Sequence, residues 1–142
     1  MTSIDKTSFR KVMVVDDALI DRVVAKKVMT RHAFAEEVIA VESAMDALEY
    51  LSNHNKETDE LPSLIFLDIN MPEMSGFDFL DEYQKLSDDI KRKCIIVMLS
   101  SSLHPEDEQR ALSSPYVHKF LSKPLNADKL REIENGEKPG KA

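Results

Sequence analysis

The chain has 142 residues, of which 42% are hydrophobic, which is enough for one sizeable core and short for two domains. Its 26 acidic and 19 basic residues give a formal net charge of -7, opposite in sign to a nucleic-acid-binding surface, so no direct nucleic-acid partner is expected. The chain contains no run of about 18 apolar residues, the length needed to cross a membrane. Residues 1–10 lack the apolar segment of a signal peptide. We expect one cytoplasmic domain over residues 1–142, with a core over about 11–133 and flexible tails over 1–10 and 135–142.

Five short apolar segments alternate with longer amphipathic segments, a pattern typical of parallel strands covered by helices on both faces. In chain order, the sequence predicts strand Lys11–Val15, helix Ala18–His32, strand Glu37–Val41, a helix from Ser43 to about His54, loop Ser52–Pro62, strand Leu64–Leu67, helix Phe77–Leu86, strand Cys94–Leu99, helix Pro105–Leu112, strand Tyr116–Leu121 and a short helix capped by Asn126. Right-handed crossovers between such strands give a three-layer, doubly wound α/β fold with a five-stranded parallel sheet. The expected strand order is the flavodoxin-like 2-1-3-4-5.

Polar side chains suited to chemistry follow four of the five predicted strands. Asp16 and Asp17 follow the first strand, Asp68 the third, Ser100 the fourth and Lys123 the fifth. Taken singly, each residue is typical of an ordinary helix cap, turn or solvated side chain. Because ligands of doubly wound sheets bind beyond the carboxyl ends of the strands, we expect these side chains to form one site.

The predicted cluster of carboxylates needs a compensating positive charge. Two carboxylates about 4 Å apart repel each other by about 4 kcal/mol at an effective dielectric constant near 20. Mg²⁺ suits a site of one to three carboxylates that also accepts a phosphate oxygen, and Lys123 supplies a further positive charge. Mg²⁺, Lys123 and Ser100 can each stabilise an oxygen of an acyl phosphate, so the residues predict phosphoryl transfer to aspartate.

These motifs resemble the receiver domain of two-component response regulators, in particular single-domain receivers of the chemotaxis-regulator type. The resemblance covers roughly Lys11 to Ile133 and rests on Val14-Val15-Asp16-Asp17, Leu67-Asp68-Ile69-Asn70-Met71-Pro72, Gly76, Ser100, Phe120 and Lys123-Pro124. It implies that Asp68 accepts a phosphoryl group from a sensor histidine kinase or a histidine phosphotransfer protein. It also implies that Asp17, Asp68 and the backbone carbonyl of Asn70 contact Mg²⁺ directly, whereas Asp16 acts mainly through water.

The resemblance further implies a conformational switch. Lys123 and Ser100 assist the phosphoryl transfer, and the Lys123-Pro124 peptide bond is cis. On phosphorylation, Ser100 moves toward the phosphoryl group and Phe120 turns inward into the space that it leaves. The surface formed by the last two predicted helices and the fifth strand then changes.

The sequence ends soon after the receiver-like region, so we expect a stand-alone receiver that signals by protein–protein contact. Its downstream partner is unknown, and a homodimer is an open alternative. A degenerate receiver that acts as a phosphorylation-independent scaffold is a second alternative, although the acidic and basic site residues are all present. The loop Ser52–Pro62 is expected to be solvated, with a partner contact as the other interpretation.

The same residues argue against enzymatic and cofactor-binding functions. An aspartyl-nucleophile phosphatase carries a second aspartate two residues after the nucleophile, where this chain has Asn70, which cannot transfer the proton. We therefore expect no enzymatic activity beyond self-phosphorylation and autodephosphorylation. The three glycines form no glycine-rich phosphate loop, which argues against a flavodoxin-like cofactor binder. Cys94 lies in an apolar run and is expected to be buried and inert.

Overall fold

Strands and helices alternate along the chain in the computed structural model, which describes residues 8–54 and 58–135. The strands of this part of the chain are β1 (Phe9–Val15), β2 (Ala35–Val41), β3 (Leu64–Asp68), β4 (Ile95–Ser100) and β5 (Val117–Ser122). The α-helices are α1 (Leu19–Arg31), α2 (Ala44–Asn53), α3 (Gly76–Tyr83), α4 (Asp88–Lys93), α5 (Pro105–Leu112) and α6 (Ala127–Asn135), and a 3-10 helix covers Thr58–Glu60. Among the described residues, no helix has both the length and the apolar character needed to cross a membrane.

The five strands form one parallel sheet in the order β2-β1-β3-β4-β5, which confirms the predicted topology. The carboxyl ends of neighbouring strands lie level with one another. In the sheet register, Val15 pairs with Leu67 and Asp68 with Leu99. Because the chain leaves β1 toward one side and β3 toward the other, a crevice is expected beyond the ends of these two central strands.

The sheet separates two hydrophobic layers, because alternate residues of a strand face opposite sides. On β3, Leu64 and Phe66 face the first layer, whereas Ile65 and Leu67 face the second. The first layer is covered by α1 and α6 through Ala25, Met29, Leu130 and Ile133. The second is covered by α2, α3, α4 and α5 through Ala44, Ala47, Leu51, Phe77, Phe79, Leu80, Tyr83, Ile90 and Ala111. Burial of one Leu or Phe side chain contributes about 1.5–3 kcal/mol, so both layers hold the strand ends in place.

The boundaries differ from the predicted ones at both ends of the chain. Phe9 and Arg10 belong to β1 rather than to the predicted tail, because the Phe9 ring packs 5.0 Å from that of Phe34 and its amide donates to the Phe34 carbonyl. Asn135 is the last residue of α6, so the predicted tail over 135–142 is also wrong by one residue. Of the other residues of both predicted tails, Ser8 is described and exposed, whereas residues 1–7 and 136–142 lie outside the described residues.

Among the described residues, the sequence pattern does not predict the α-helix α4 or the 3-10 helix Thr58–Glu60. The Ser87 hydroxyl accepts a hydrogen bond from the Ile90 amide and caps the start of α4. Two acidic residues lie in its first turn and three basic residues in its last turn, as the helix dipole favours. Only Ile90 of its six residues is buried, so the segment has no apolar periodicity to reveal it. Cys94, next in the chain, is buried as expected, and its thiol donates to the Pro62 carbonyl at 3.0 Å.

The end of the loop Ser52–Pro62 is anchored to the sheet rather than fully solvated. Leu61 and Pro62 are buried, and Glu60 Oε1 lies 2.8 Å from Nζ of Lys11 on β1. The Lys11 side chain is only 5% exposed, and its hydrogen bond to Glu60 holds its pKa above the ordinary lysine value despite burial. The middle of this loop, residues 55–57, lies outside the described residues.

Gly76 is required for the close approach of α3 to the end of β3, and its replacement by alanine is the first test of the fold. A Cβ atom at this position would lie 2.7 Å from the Asp68 carbonyl oxygen and 3.0 Å from Cα of Ile69. Because both contacts are with backbone, we expect Gly76→Ala to lower the free energy of unfolding by about 1–3 kcal/mol, measured by urea denaturation. Asp81→Ala, at an exposed position of the same helix, is the control. An unchanged unfolding midpoint in Gly76→Ala would contradict the close approach.

Candidate functional site

The structure brings the predicted polar residues together at the carboxyl edge of the sheet. Asp16 and Asp17 follow β1, Asp68 ends β3, Ser100 ends β4 and Lys123 follows β5. Carboxylate oxygens of Asp16, Asp17 and Asp68 lie within 4.8 Å of one another. The strand ends therefore bring the three aspartates and Lys123 into one cluster, and Ser100 ends the strand next to β3.

The two members of the acidic pair have different surroundings. Asp16 is buried, its Oδ1 accepts a hydrogen bond from the Ala18 amide at 2.9 Å, and its Oδ2 lies 2.8 Å from Lys123 Nζ. The first of these bonds fixes the turn that leads into α1. Asp17 is exposed, so the cluster has one carboxylate that faces solvent and an approaching ligand.

Asp68 is a buried carboxylate whose charge is opposed by its surroundings. Its side chain is 5% exposed, and its Oδ1 lies 3.3 Å from both the Asn70 amide nitrogen and Lys123 Nζ. Burial, and then the charge of Asp16, raise the pKa of Asp68 to about 6, while Lys123 works in the opposite direction. Asn70 itself is exposed, and metal binding by its backbone carbonyl stays a prediction.

Lys123 contacts three carboxylates at once. Its Nζ lies 2.8 Å from Asp16 Oδ2, 2.8 Å from Asp21 Oδ2 and 3.3 Å from Asp68 Oδ1. Burial disfavours the ammonium charge, but the hydrogen bonds to Asp16 and Asp21 outweigh it and hold the pKa of Lys123 above its ordinary value. The Lys123-Pro124 bond is cis, as the resemblance implies.

Asp21 is a site residue that the sequence pattern does not reveal. It lies in the first turn of α1, where an acidic residue is ordinary because of the helix dipole. Because Asp17 precedes the helix and Ala18 is extended, the spacing along the sequence gives no signal that places Asp21 beside the acidic pair.

Ser100 and Phe120, the predicted switch residues, are both buried but do not contact Asp68 through any hydrogen bond of the described residues. The Ser100 hydroxyl donates to the Ser102 carbonyl and accepts from the Ser102 amide at 3.2 Å, so it is held by its own loop. Phe120 is 8% exposed and belongs to the second hydrophobic layer. The Phe120 ring is therefore already largely buried before the inward turn that the resemblance implies on phosphorylation.

The donor set fits a hard divalent cation. Asp16, Asp17 and Asp68 offer oxygen ligands within 4.8 Å of one another, and hard cations such as Mg²⁺ prefer carboxylate oxygens. Lys123 is one positive charge among these three carboxylates and Asp21. The site keeps an excess of negative charge that a divalent ion would balance.

The burial of Asp68 predicts a pH-dependent stability of the metal-free protein. A folded pKa of about 6 exceeds that of an unfolded aspartate, about 4, so ionisation of Asp68 costs stability as the pH rises through this interval. In EDTA, we expect Asp68→Asn to be more stable than the unmodified protein by about 1–3 kcal/mol at pH 7, and by much less near pH 4. Urea denaturation at both pH values measures the difference, with Asp81→Asn as the exposed control. A difference that is the same at both pH values would contradict this pKa.

Comparison with known proteins gives one consistent family. The family model described as "Response regulator receiver domain" matches residues 12–134. The two-component response regulator ORR1 of Oryza sativa subsp. japonica is 32% identical over 127 residues, which cover 88% of this chain and 54% of the rice protein. The chain thus spans about half the length of that relative.

Two solved structures agree with this result. A two component response regulator from Cytophaga hutchinsonii is 31% identical with a TM-score of 0.83, covering 89% of this chain and 95% of that one. The receiver domain of the histidine kinase CKI1 from Arabidopsis thaliana, complexed with Mg²⁺ and BeF₃⁻, is 26% identical with a TM-score of 0.68, covering 89% and 85%. Members of the response regulator receiver family bind a divalent metal ion at an acidic aspartate pocket, as the cluster of Asp16, Asp17 and Asp68 would allow. Since the family model spans most of the 142 residues, this chain belongs to the response regulator receiver family.

Proposed function

We propose that Asp68 accepts a phosphoryl group from a histidine kinase or a histidine phosphotransfer protein in a Mg²⁺-dependent reaction, and that another protein responds to the change. The observation that carries this proposal is the position of Asp68, a buried carboxylate beside Lys123 and two further aspartates. Family membership supports it, because receiver domains interact with histidine kinases or phosphotransfer partners.

Asp68 would act as the nucleophile. With a pKa of about 6, its carboxylate form predominates at neutral pH and needs no general base. As the P–O bond to Asp68 forms, the P–N bond of the donor phosphohistidine breaks, and the electron pair stays on the histidine ring nitrogen. The product is an aspartyl phosphate on this chain.

Lys123 and Ser100 would stabilise the transferred group. Lys123 Nζ is already 3.3 Å from Asp68 Oδ1, so a short movement brings the ammonium onto a phosphoryl oxygen. Ser100 must release the Ser102 carbonyl before its hydroxyl can donate to the phosphoryl group. That release would loosen the loop after β4 and open space for Phe120.

The cation that we propose is Mg²⁺. Asp17, Asp68 and the backbone carbonyl of Asn70 would hold it directly, and Asp16 would act through water. When bound, Mg²⁺ neutralises charge on the phosphoryl oxygens during transfer. The presence of both Mg²⁺ and BeF₃⁻ in the solved CKI1 receiver domain supports the use of these ions as probes.

In this proposal the chain has no enzymatic activity apart from its own phosphorylation and dephosphorylation. Asn70 supports this, because an amide side chain cannot serve as the general acid of an aspartyl-nucleophile phosphatase. Signalling would proceed by protein–protein contact, with a second copy of the chain as one candidate partner. The proposed location is the cytoplasm, where ATP supplies a kinase with phosphoryl groups. A phosphorylation-independent scaffold is the alternative that the following experiment tests.

We expect the purified protein to gain the mass of one phosphoryl group when it is incubated with acetyl phosphate and Mg²⁺. Asp68→Asn should gain none, because the nucleophile is absent, and EDTA should prevent the gain in the unmodified protein. Asp81→Asn, which removes an exposed carboxylate, is the control. Intact mass spectrometry measures the gain, and native size in parallel tests self-association. If neither a phosphoryl group nor BeF₃⁻ binds, and Mg²⁺ binding is also absent, the scaffold is the better interpretation.

We also expect phosphorylation to change the surface around α5 and β5. Backbone amide signals from Glu106 to Phe120 should shift in the NMR spectrum when BeF₃⁻ and Mg²⁺ are added, because Ser100 leaves the Ser102 carbonyl and Phe120 repacks. Ser100→Ala should reduce the shifts without preventing binding of BeF₃⁻. Unchanged signals in this segment of a fully loaded protein would rule out the switch.

A further inference from the structure

Asp21 is an additional carboxylate in contact with Lys123. Its Oδ2 lies 2.8 Å from Lys123 Nζ, closer than the 3.3 Å that separates the same ammonium from Asp68 Oδ1. The Asp21 side chain is 38% exposed, whereas that of Lys123 is 16% exposed, so the contact closes the site on the side of α1. It links the first turn of α1 to the segment after β5.

The contact occupies a hydrogen-bonding position that the phosphorylated site needs. An ammonium group has three donors, and here three different carboxylates, those of Asp16, Asp21 and Asp68, surround it. To pair with a phosphoryl oxygen, Lys123 must therefore weaken one of these contacts. Asp21 is the most exposed of the three partners, and its carboxylate loses least when it returns to water.

We infer that Asp21 is a positioning residue that restrains Lys123 in the unphosphorylated chain and releases it when Lys123 pairs with the phosphoryl group on Asp68. This inference rests on the proposed function of Asp68. The restraint opposes phosphorylation in two ways. It holds the ammonium toward α1, and it adds a negative charge beside the site that an anionic phosphoryl donor must enter.

A helix-dipole role alone does not account for the contact. Asp21 does stand in the first turn of α1, where any carboxylate is favourable. Asp46 occupies the same position in the first turn of α2 and has no ion pair with Lys123 among the described residues. Asp46→Asn therefore removes one helix-start charge from the same protein and is the matched control for Asp21→Asn.

The test compares phosphorylation rates of the unmodified protein, Asp21→Asn and Asp46→Asn with acetyl phosphate and Mg²⁺. We expect Asp21→Asn to gain its phosphoryl group about three- to tenfold faster, a modest factor because Asp21 is partly exposed and its charge is screened. Asp46→Asn should react at the unmodified rate. An acceleration is not the result of structural damage, which would slow the reaction. A rate in Asp21→Asn that is equal to or below the unmodified rate would overturn the inference.

A second measurement tests the contact without phosphorylation. The side-chain ammonium signal of Lys123, assigned by its loss in Lys123→Met, should shift or broaden in the NMR spectrum of Asp21→Asn and stay unchanged in Asp46→Asn. If the unmodified protein takes no phosphoryl group, the proposed function fails, but this signal still decides the role of Asp21. An ammonium signal that is the same in Asp21→Asn and the unmodified protein would overturn the restraint.

Discussion

Repulsion among carboxylates at one edge of the sheet is the constraint on which the rest of the structure depends. Asp16, Asp17 and Asp68 approach within 4.8 Å of one another, and in the described part of the chain the ammonium group of Lys123 faces two of them. At such distances each pair costs about 4 kcal/mol at an effective dielectric constant near 20. Packing of the strands on both faces has to offset this cost, and buried apolar residues directly precede Asp16 on β1 and Asp68 on β3.

Repulsion among the carboxylates also favours the binding of a positively charged ligand at this site. A buried aspartate with a pKa of about 6 and an exposed neighbour form a site in which any added positive charge stabilises the fold. Lys123 supplies part of that charge from within the chain, and a divalent ion would supply the rest. Binding and stability are therefore coupled at this edge of the sheet.

The sheet order and the residues that follow its strands could be predicted from the sequence because they depend on local patterns. Apolar runs identify the strands, and parallel strands end at a common edge, so Asp68 and Lys123 could be placed together without any knowledge of side-chain direction. The cis bond before Pro124 needed the family resemblance, since about 5% of such bonds are cis in folded proteins. The metal-binding roles that we propose for Asp17 and Asn70 also come from that resemblance.

The features that could not be predicted depend on tertiary contacts. Asp21 has the sequence setting of an ordinary helix-start acid, and only the fold shows that its carboxylate faces Lys123. From the sequence, Lys11 is expected to be a surface residue. In the fold it is buried and pairs with Glu60, which lies in a loop far along the chain. The sequence pattern does not predict α4, because its single buried residue, Ile90, gives no apolar periodicity.

The division of the core by the sheet has a consequence for how the molecule tolerates change. Phe120 packs in the layer beneath α2 to α5, whereas α1 and α6 rest on the opposite layer. Side chains on opposite sides of the sheet share few partners, so substitutions in the two layers should combine additively, whereas neighbours within one layer should not. The layer beneath α1 and α6 can therefore keep its packing while the other layer repacks. Related chains can then accumulate substitutions on the two surfaces independently.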